Sequence, residues 1–295
     1  MTDLGAIVAF FSPSDYVLPK KNLQRVLAQL CDANIPVVVA QVVRSDKSPE
    51  PVPSCVINRV WHSNHTLFWK ENLWNLGAQI LPAKKLLFID ADVIFAASDW
   101  PQKIAHALDE YDLIQPFEKC VWLNQNHDGV ELQRKSAAVA LHAHIHPRPD
   151  EYHPGFAWAV RRESFVRMGG WYEFHPAGGG DTVTSYALAE TEYGEQWFSN
   201  LRTESYVWKR QSFRRYRARV QNANLKIGYL AGDTVQHLWH GAREFRRYIG
   251  RLVFMPQIGF DEYPLRHRPD GLLEWSDEVH NVGAQAYFDQ RREDG

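Results

Sequence analysis

The sequence predicts an α/β fold: a single Rossmann-like domain with a mixed central sheet and a C-terminal tail. Three observations lead there. Strand-like and helix-like patterns alternate through the first hundred residues. Residues 35–43 (IPVVVAQVV) are almost continuously apolar, as a central parallel strand covered on both faces must be. A second apolar run ends abruptly in Asp90-Ala91-Asp92. The 295-residue chain is 45% hydrophobic and 23% charged, a globular balance that excludes wholesale disorder and fibrous classes.

Residues 6–10 (AIVAF) form the first strand and lead into Ser12-Pro13-Ser14. Residues 18–33 follow with helical spacing of Leu23, Val26, Leu27 and Leu30, so with the strand at 35–43 they complete a βαβ unit. The polar, proline-bearing stretch 45–53 reads as a loop, 66–80 as a helix, and 86–95 (LLFIDADVIF) as one strand. Beyond Asp99 the expected elements are a helix over 100–110, a strand over 112–116, a histidine-rich loop (His142, His144, His146), a strand over 156–160 and a helix over 162–168. The glycine run 178–180 and Asp181 precede a helix over 182–189. We place the domain at residues 1–258, in halves of 1–99 and 100–258, with 259–295 as a tail packed on it.

The most apolar stretches, 86–97 and 37–43, are too short or interrupted to span a bilayer, and the start (MTDLGAIVAFF) lacks a basic signal region. Cys31, Cys55 and Cys120 show no metal or redox spacing, which favours a reducing compartment and a cytoplasmic protein. The net charge of −2 hides a segregation. Residues 201–251 carry twelve Lys and Arg against three acids, a block of +9 within a remainder of −11. Such a block fits a polyanionic partner, with a solvated basic surface as the alternative.

Asp90 and Asp92 carry the clearest chemistry. Two apart in a strand, they point to one face, and paired carboxylates repel unless a cation lies between them; a hard divalent ion with oxygen ligands is the usual answer. The carboxyl end of a strand is also where open α/β sheets bind ligands.

Two enzyme classes use this arrangement. Asp90-Ala91-Asp92-Val93 resembles the strand-terminal DxD of haloacid-dehalogenase-type phosphatases. That motif normally lies on the first strand and needs a later acidic pair, and neither condition is met here. The chain is more similar to nucleotide-sugar glycosyltransferases of the GT-A fold. Their DxD follows a Rossmann-like half, Trp69-Lys70-Glu71-Asn72 and Asn75 resemble the helix lining their nucleotide site, and Gly169-Gly170-Trp171-Tyr172 resembles their GG[WF][DE] turn with Tyr172 in place of the acid. Asp181 stands where inverting members keep a catalytic base, and His240-Gly241 resembles the His-Gly whose imidazole completes the metal shell.

This resemblance implies a metal-dependent transferase, inverting, with residues 1–99 as the nucleotide-binding half and 100–258 as the acceptor half. It would use a UDP-sugar and Mn²⁺ or Mg²⁺. Phe11, Ser12, Lys70, Asn75, Asp90, Ala91 and Asp92 would bind the nucleotide-sugar; Asp92, His240 and Asp90 would hold the metal, with His237 as second choice to His240. Three positions apart, those two histidines would point to opposite faces of a strand. Asp181 would be the base, or merely the N-cap of the helix after it. Acceptor contacts are expected from Trp158, Gly170, Trp171, Arg214, Arg215, Arg243 and Arg246.

Tyr206, Trp208, Phe213, Tyr216, Phe245 and Tyr248 interleave with the arginines of the basic block, a texture suited to clamping phosphates and stacking on bases. His-Leu-Trp-His-Gly followed by Arg-x-x-Arg-x-Tyr resembles bacteriophage glycosyltransferases that modify hydroxymethylated DNA bases. The implied acceptor is the hydroxymethyl group of a pyrimidine such as 5-hydroxymethylcytosine in DNA, with base flipping where the DNA is duplex. A cell-surface glycan acceptor, or a non-catalytic nucleotide-sugar or DNA-binding module, are the alternatives.

Overall fold

The computed structural model describes residues 3–148, 150–189, 211–246 and 264–294. Among the basic block, Arg202, Lys209, Arg210, Arg247 and Arg251, with Tyr206, Trp208 and Tyr248, lie outside the described residues.

The first half builds β1 (Leu4–Phe11), α1 (Val17–Asp32), β2 (Val37–Val43), β3 (Val56–His62), α2 (Lys70–Ile80), β4 (Lys85–Ile89) and β5 (Val93–Phe95). Then come α3 (Trp100–Glu110), β6 (Leu113–Gln115), β7 (Lys119–Leu123), β8 (Val130–Ser136), α4 (Ala137–His142), β9 (Tyr152–His153), β10 (Ala157–Arg161), α5 (Arg162–Met168) and α6 (Gly180–Leu188). The remaining elements are α7 (Gln211–Asn222), β11 (Ile227–Tyr229), β12 (Thr234–His237), a 3₁₀ turn (Arg243–Arg246), β13 (Leu265–His267), β14 (Leu273–Trp275) and α8 (Glu278–Asp289).

The central sheet is mixed and seven-stranded, in the order β11-β6-β10-β4-β1-β2-β3. β3, β2, β1 and β4 run parallel, and β10 is antiparallel to both β4 and β6. Burial on both faces explains the unbroken apolar run of β2: Val38 packs with Ile7, Trp74 and Phe88 on one side, while Val37 and Val39 join Val8, Leu23 and Val26 on the other. A five-stranded sheet, β5-β12-β7-β8-β9, leans on the edge that carries the acidic motif.

Three features depart from the expected elements. The run 86–95 is two strands, because β4 stops at Ile89 and Asp90-Ala91-Asp92 forms a turn in which Val93 N donates to Asp90 O at 3.3 Å. β3, β7 and β8 were not anticipated, nor were α4, β9, α7, β11, β13, β14 and α8; β8 alternates exposed residues with half-covered Leu132 and Arg134 and carries no apolar run. Cys31 and Cys55 form a disulfide between the end of α1 and the approach to β3, although their spacing is no motif and the sequence pointed to a reducing compartment. Only the fold brings those two sulfurs together.

Residues 264–294 pack on the domain. Trp275 is fully buried and its Nε1 donates to Thr66 O at 2.8 Å, and Trp69 Nε1 donates to Leu273 O at 2.8 Å. The Asp294 carboxylate accepts from the backbone N–H groups of Val17 and Leu18 at 2.9 and 2.7 Å, supplying the negative charge that the first turn of α1 lacks. We expect Trp275→Ala to lower the unfolding free energy by about 3–5 kcal/mol in a denaturant titration. Val279→Ser, at a position 81% exposed, should change it by less than about 0.5 kcal/mol.

Candidate active site

The carboxyl ends of β1 and β4 open into a cleft of about 420 Å³, closed on its far side by β12, the glycine turn before α6 and the C-terminal segment. Phe11, Ser12, Lys70, Asp90, Ala91, Asp92, Asp181, His237, His240 and Arg243 all line it.

Asp92 and two imidazoles form its sharpest cluster. His240 Nε2 lies 2.8 Å and His237 Nε2 3.5 Å from Asp92 Oδ2, and ligand atoms of all three fall within 4.8 Å of one another. The expectation that His237 and His240 face opposite ways holds only within a strand. β12 ends at His237, directly opposite Val93 in β5, and Leu238 N then donates to Asp92 O at 2.7 Å, which turns the chain so that His240 returns to the same carboxylate. Ligands about 2.0–2.2 Å from a metal stand roughly 3 Å apart, so the spacing suits a divalent cation. His240 Nδ1 faces Glu293 Oε2 at 3.5 Å, so a carboxylate stands on the far side of that imidazole without a hydrogen bond to it.

Beside this cluster sits a buried ammonium group. Lys70 Nζ lies 3.1 Å from Asp181 Oδ2, 3.4 Å from Asp90 Oδ1 and 3.8 Å from Glu71 Oε1. Burial alone would lower its pKa, but the three carboxylates outweigh that and hold it above the ordinary lysine value. The converse holds for the acids. Burial pushes Asp90 up to about 7, with Lys70 opposing and Asp92 and Asp181 reinforcing, and pushes Glu71 up to about 8. Asp90 Oδ1 and Glu71 Oε1 are buried without a hydrogen bond. More acid than base is enclosed here, and an added cation near Asp92 and Asp90 would relieve the excess; the residues therefore fit the implied metal.

Asp181 differs from its neighbours. Burial favours its neutral acid, yet the Lys70 ammonium beside it prevails and holds it below the usual carboxylate range. It lies within the first turn of α6, where its Oδ1 accepts from Thr182 N at 2.7 Å, so it is not the N-cap; that place belongs to Gly179, whose φ of 104° no larger residue adopts comfortably. A Cβ on Gly155 would stand 2.4 Å from Asp181 Oδ2 and 3.3 Å from His153 Nε2, so the absence of a side chain there lets both groups reach the cleft. His153 is half-buried, and desolvation lowers its pKa to about 3, which keeps the imidazole neutral beside Asp181. Gln115 fixes this loop, donating to His153 O and Gly155 O at 3.2 and 3.0 Å.

Several expected residues lie elsewhere. Asn75 clamps the turn after α5, accepting from Trp171 N at 2.9 Å and donating to Trp171 O at 3.0 Å, and does not line the cleft. Trp158 and Trp171 are buried in the core with their rings 6.0 Å apart, and Gly170 serves that turn with a φ of 78°. Arg214 and Arg215 are exposed on α7 and do not line the cleft, and Arg246 is described only as the last residue of its 3₁₀ turn. Conversely, Trp122, Arg134, His153, Tyr16, Arg291 and Glu293 line the cleft without having been anticipated. A His-Pro-Gly sequence before a strand could have flagged His153; Arg134 and Glu293 have no local signal.

No protein-family model matches the chain, and no curated protein matches it. Among solved structures it is similar to S. aureus TarS, with 12% identity over 97% of this chain and 42% of that one, at a TM-score of 0.48. It is also similar to GalNAc-T7 solved with UDP, GalNAc and Mn²⁺, with 11% identity over 80% and 43% of the two chains, at a TM-score of 0.46. The catalytic domain of Drosophila β1,4-galactosyltransferase 7 in complex with xylobiose shows 13% identity over 83% and 73%, at a TM-score of 0.40. The chain thus spans less than half the length of the first two, and likeness at this level assigns no activity. Among the described residues, no helix is long and apolar enough to cross a membrane.

Mn²⁺ titration followed by calorimetry or electron paramagnetic resonance should show Asp92→Asn and His240→Ala weakening binding beyond the roughly 10–100-fold that outer-shell losses cost. Glu71 supplies a pH test. Its folded pKa of about 8 exceeds the ordinary 4.5, so its stabilising contribution is full below pH 4.5 and is lost as pH rises towards 8. Each tenfold difference in proton affinity between the folded and unfolded chains is worth about 1.4 kcal/mol. Glu71→Gln should therefore flatten the decline in stability between pH 5 and 8 measured by metal-free denaturant melts; parallel wild-type and variant curves would contradict the assignment.

Proposed function

We propose that this protein is a metal-dependent GT-A-type glycosyltransferase that moves a sugar from a UDP-sugar to the hydroxymethyl group of a modified pyrimidine, 5-hydroxymethylcytosine, in DNA. The observation that carries the reading is the convergence of Asp92, His237 and His240 beside the Lys70–Asp181 pair at the carboxyl edge of β4. It joins a cation site and an ionised carboxylate in one cleft, which a non-catalytic module would not need.

Asp92, His237 and His240 would hold the cation, with Asp90 close by. Two imidazoles beside a carboxylate favour Mn²⁺ over Mg²⁺, which prefers oxygen ligands. When bound, the ion supplies Lewis-acid stabilisation to the diphosphate that leaves. The chain's own residues do the rest. Phe11 and Ser12, at the end of β1, line the donor side of the cleft. Lys70 holds Asp90 and Asp181 in place and keeps Asp181 ionised at any working pH. As the acceptor oxygen attacks the anomeric carbon and the bond to the diphosphate breaks, Asp181 takes the hydroxyl proton, giving inversion. A carboxylate with so low an affinity for protons accepts one only as the oxygen becomes acidic in the transition state.

The DNA acceptor is supported by the basic block and by Arg243 at the cleft. The described part of α7 contributes no arginine to the cleft, so its charge would act on the flanking backbone of the acceptor. Two imidazoles on Asp92 disfavour the phosphatase alternative, whose metal takes oxygen ligands.

A screen of UDP-sugars against hydroxymethylated and unmodified DNA, read by nucleoside mass, should show a sugar's added mass only on the hydroxymethylated base. Transfer to a glycan with none to DNA would reject the acceptor. Asp181→Asn should lower kcat by about 10²–10⁴-fold while leaving the calorimetric affinity for UDP and Mn²⁺ within about twofold.

A further inference from the structure

Trp122 on β7 is 6% exposed and enclosed by the chemistry of the cleft: His153 and Phe156 lie 4.9 Å from it ring to ring, and His237 6.2 Å. Two guanidinium groups also rest against it. Arg134 reaches it from β8 with Cζ 5.8 Å from the ring centre, and Arg243, three residues after His240, reaches it with Cζ at 5.7 Å. Both arginines line the cleft.

Arginines so close repel, and burial together with the charge of Arg243 holds Arg134 below its ordinary pKa. Among the described residues, neither forms a salt bridge with a carboxylate, and the buried Nε of Arg134 makes no hydrogen bond. The rest of the cleft lining is acid-rich, so among the described residues these two charges are the part of it held in no salt bridge. A planar, always-charged donor fork stacked on an indole is built to meet an oxyanion.

We infer that Arg134 and Arg243, seated on Trp122, form a phosphate-binding subsite that holds the acceptor through a backbone phosphate next to the nucleotide being modified. The inference rests on the glycosyltransferase reading and narrows its acceptor to a phosphate-bearing one. The donor's diphosphate would have a cation site at Asp92, His237 and His240, whereas an acceptor carrying one negative charge per nucleotide would meet, among the described residues of the cleft, Arg134 and Arg243 as the arginines not engaged by a carboxylate, Arg291 being paired with Glu293. Trp122 touches both His237 and His153, so a phosphate seated on its arginines would bring the neighbouring hydroxymethyl group towards Asp181. A neutral glycan would leave both arginines unused.

The test compares Arg134→Gln, Arg134→Lys and Arg243→Gln with wild type in three arms. Anisotropy of a labelled single-stranded oligonucleotide containing 5-hydroxymethylcytosine should show each Gln variant binding about tenfold or more weakly, with the salt slope reduced by about 1 per arginine. Replacing the phosphates beside the modified base by methylphosphonates should weaken wild type similarly and the Gln variants little further. In transfer assays the acceptor KM should rise with kcat changed less than about threefold, and Arg134→Lys should recover part of the loss. Calorimetric UDP affinity with Mn²⁺ should stay within about twofold. Loss of UDP affinity with unchanged oligonucleotide binding would assign the arginines to the donor diphosphate and overturn the inference, as would unchanged binding of both. If wild type transfers no sugar, the glycosyltransferase reading falls, while the anisotropy arm still decides whether the arginines bind phosphate.

Discussion

Lys70 places one positive charge among three carboxylates in a site largely withdrawn from water, and much of the surrounding structure exists to tolerate that arrangement. Removing the ammonium group would leave Asp90, Asp181 and Glu71 facing one another, and uncompensated buried charge is among the most costly defects a fold can carry. The lysine is in place because α2 begins at that residue and packs its apolar side on β1, with Leu73, Trp74 and Leu76 buried beneath. Its approach to Asp181 in turn needs two close passages of backbone. Gly180 lies against the Glu71 carboxyl, and Gly155 lies against Asp181 itself, so both acids sit where a methyl group would displace them.

Charge in the cleft is divided by position. The acids gather around Lys70 and at the strand-end turn, and the arginines Arg134 and Arg243 gather on the far wall around Trp122. The aromatic wall between them joins buried Trp122, Phe156 and His237 to the half-buried imidazole of His153. Phe156 holds a φ of 77°, an uncommon conformation for a bulky residue, while its carbonyl receives Asp90 N at 2.8 Å. Backbone strain, the acidic turn and the imidazole stack thus meet at one residue, as is frequent where a fold positions chemistry.

The sequence carried the parallel half of the sheet plainly, because burial on both faces of β1, β2 and β4 leaves apolar runs that nothing else explains. It also carried Asp90, Asp92, Asp181, Lys70 and both histidines into the cleft that the structure displays. Their reasons were less legible. Asp90 and Asp92 were expected to converge through strand pleating, whereas a turn brings them there, and that turn is what leaves Asp92 O to receive Leu238 N. Asn75, Trp158 and Trp171 were expected at the cleft and lie away from its lining, because core tryptophans and an amide that clamps a turn use the same residue types as binding sites; only the fold separates the two placements. Arg134 and Glu293 are invisible for a different reason, since an isolated charge in a polar strand or near a helix end reads as solvated surface until its neighbours are known.

The cleft is assembled from residues as distant in the chain as Phe11 and Glu293, and the contact between the Tyr16 hydroxyl and Arg291 O fastens its two rims together. During synthesis the acidic turn is therefore made long before the imidazoles and longer still before the carboxylate that faces His240. A nascent chain passes through a stage in which Asp90, Asp92 and Asp181 have emerged while their full set of partners is still inside the ribosome. Non-local closure of this kind is slow, and its lateness gives the order of events a consequence: the cleft acquires its native set of groups only after residue 293 has been added and docked.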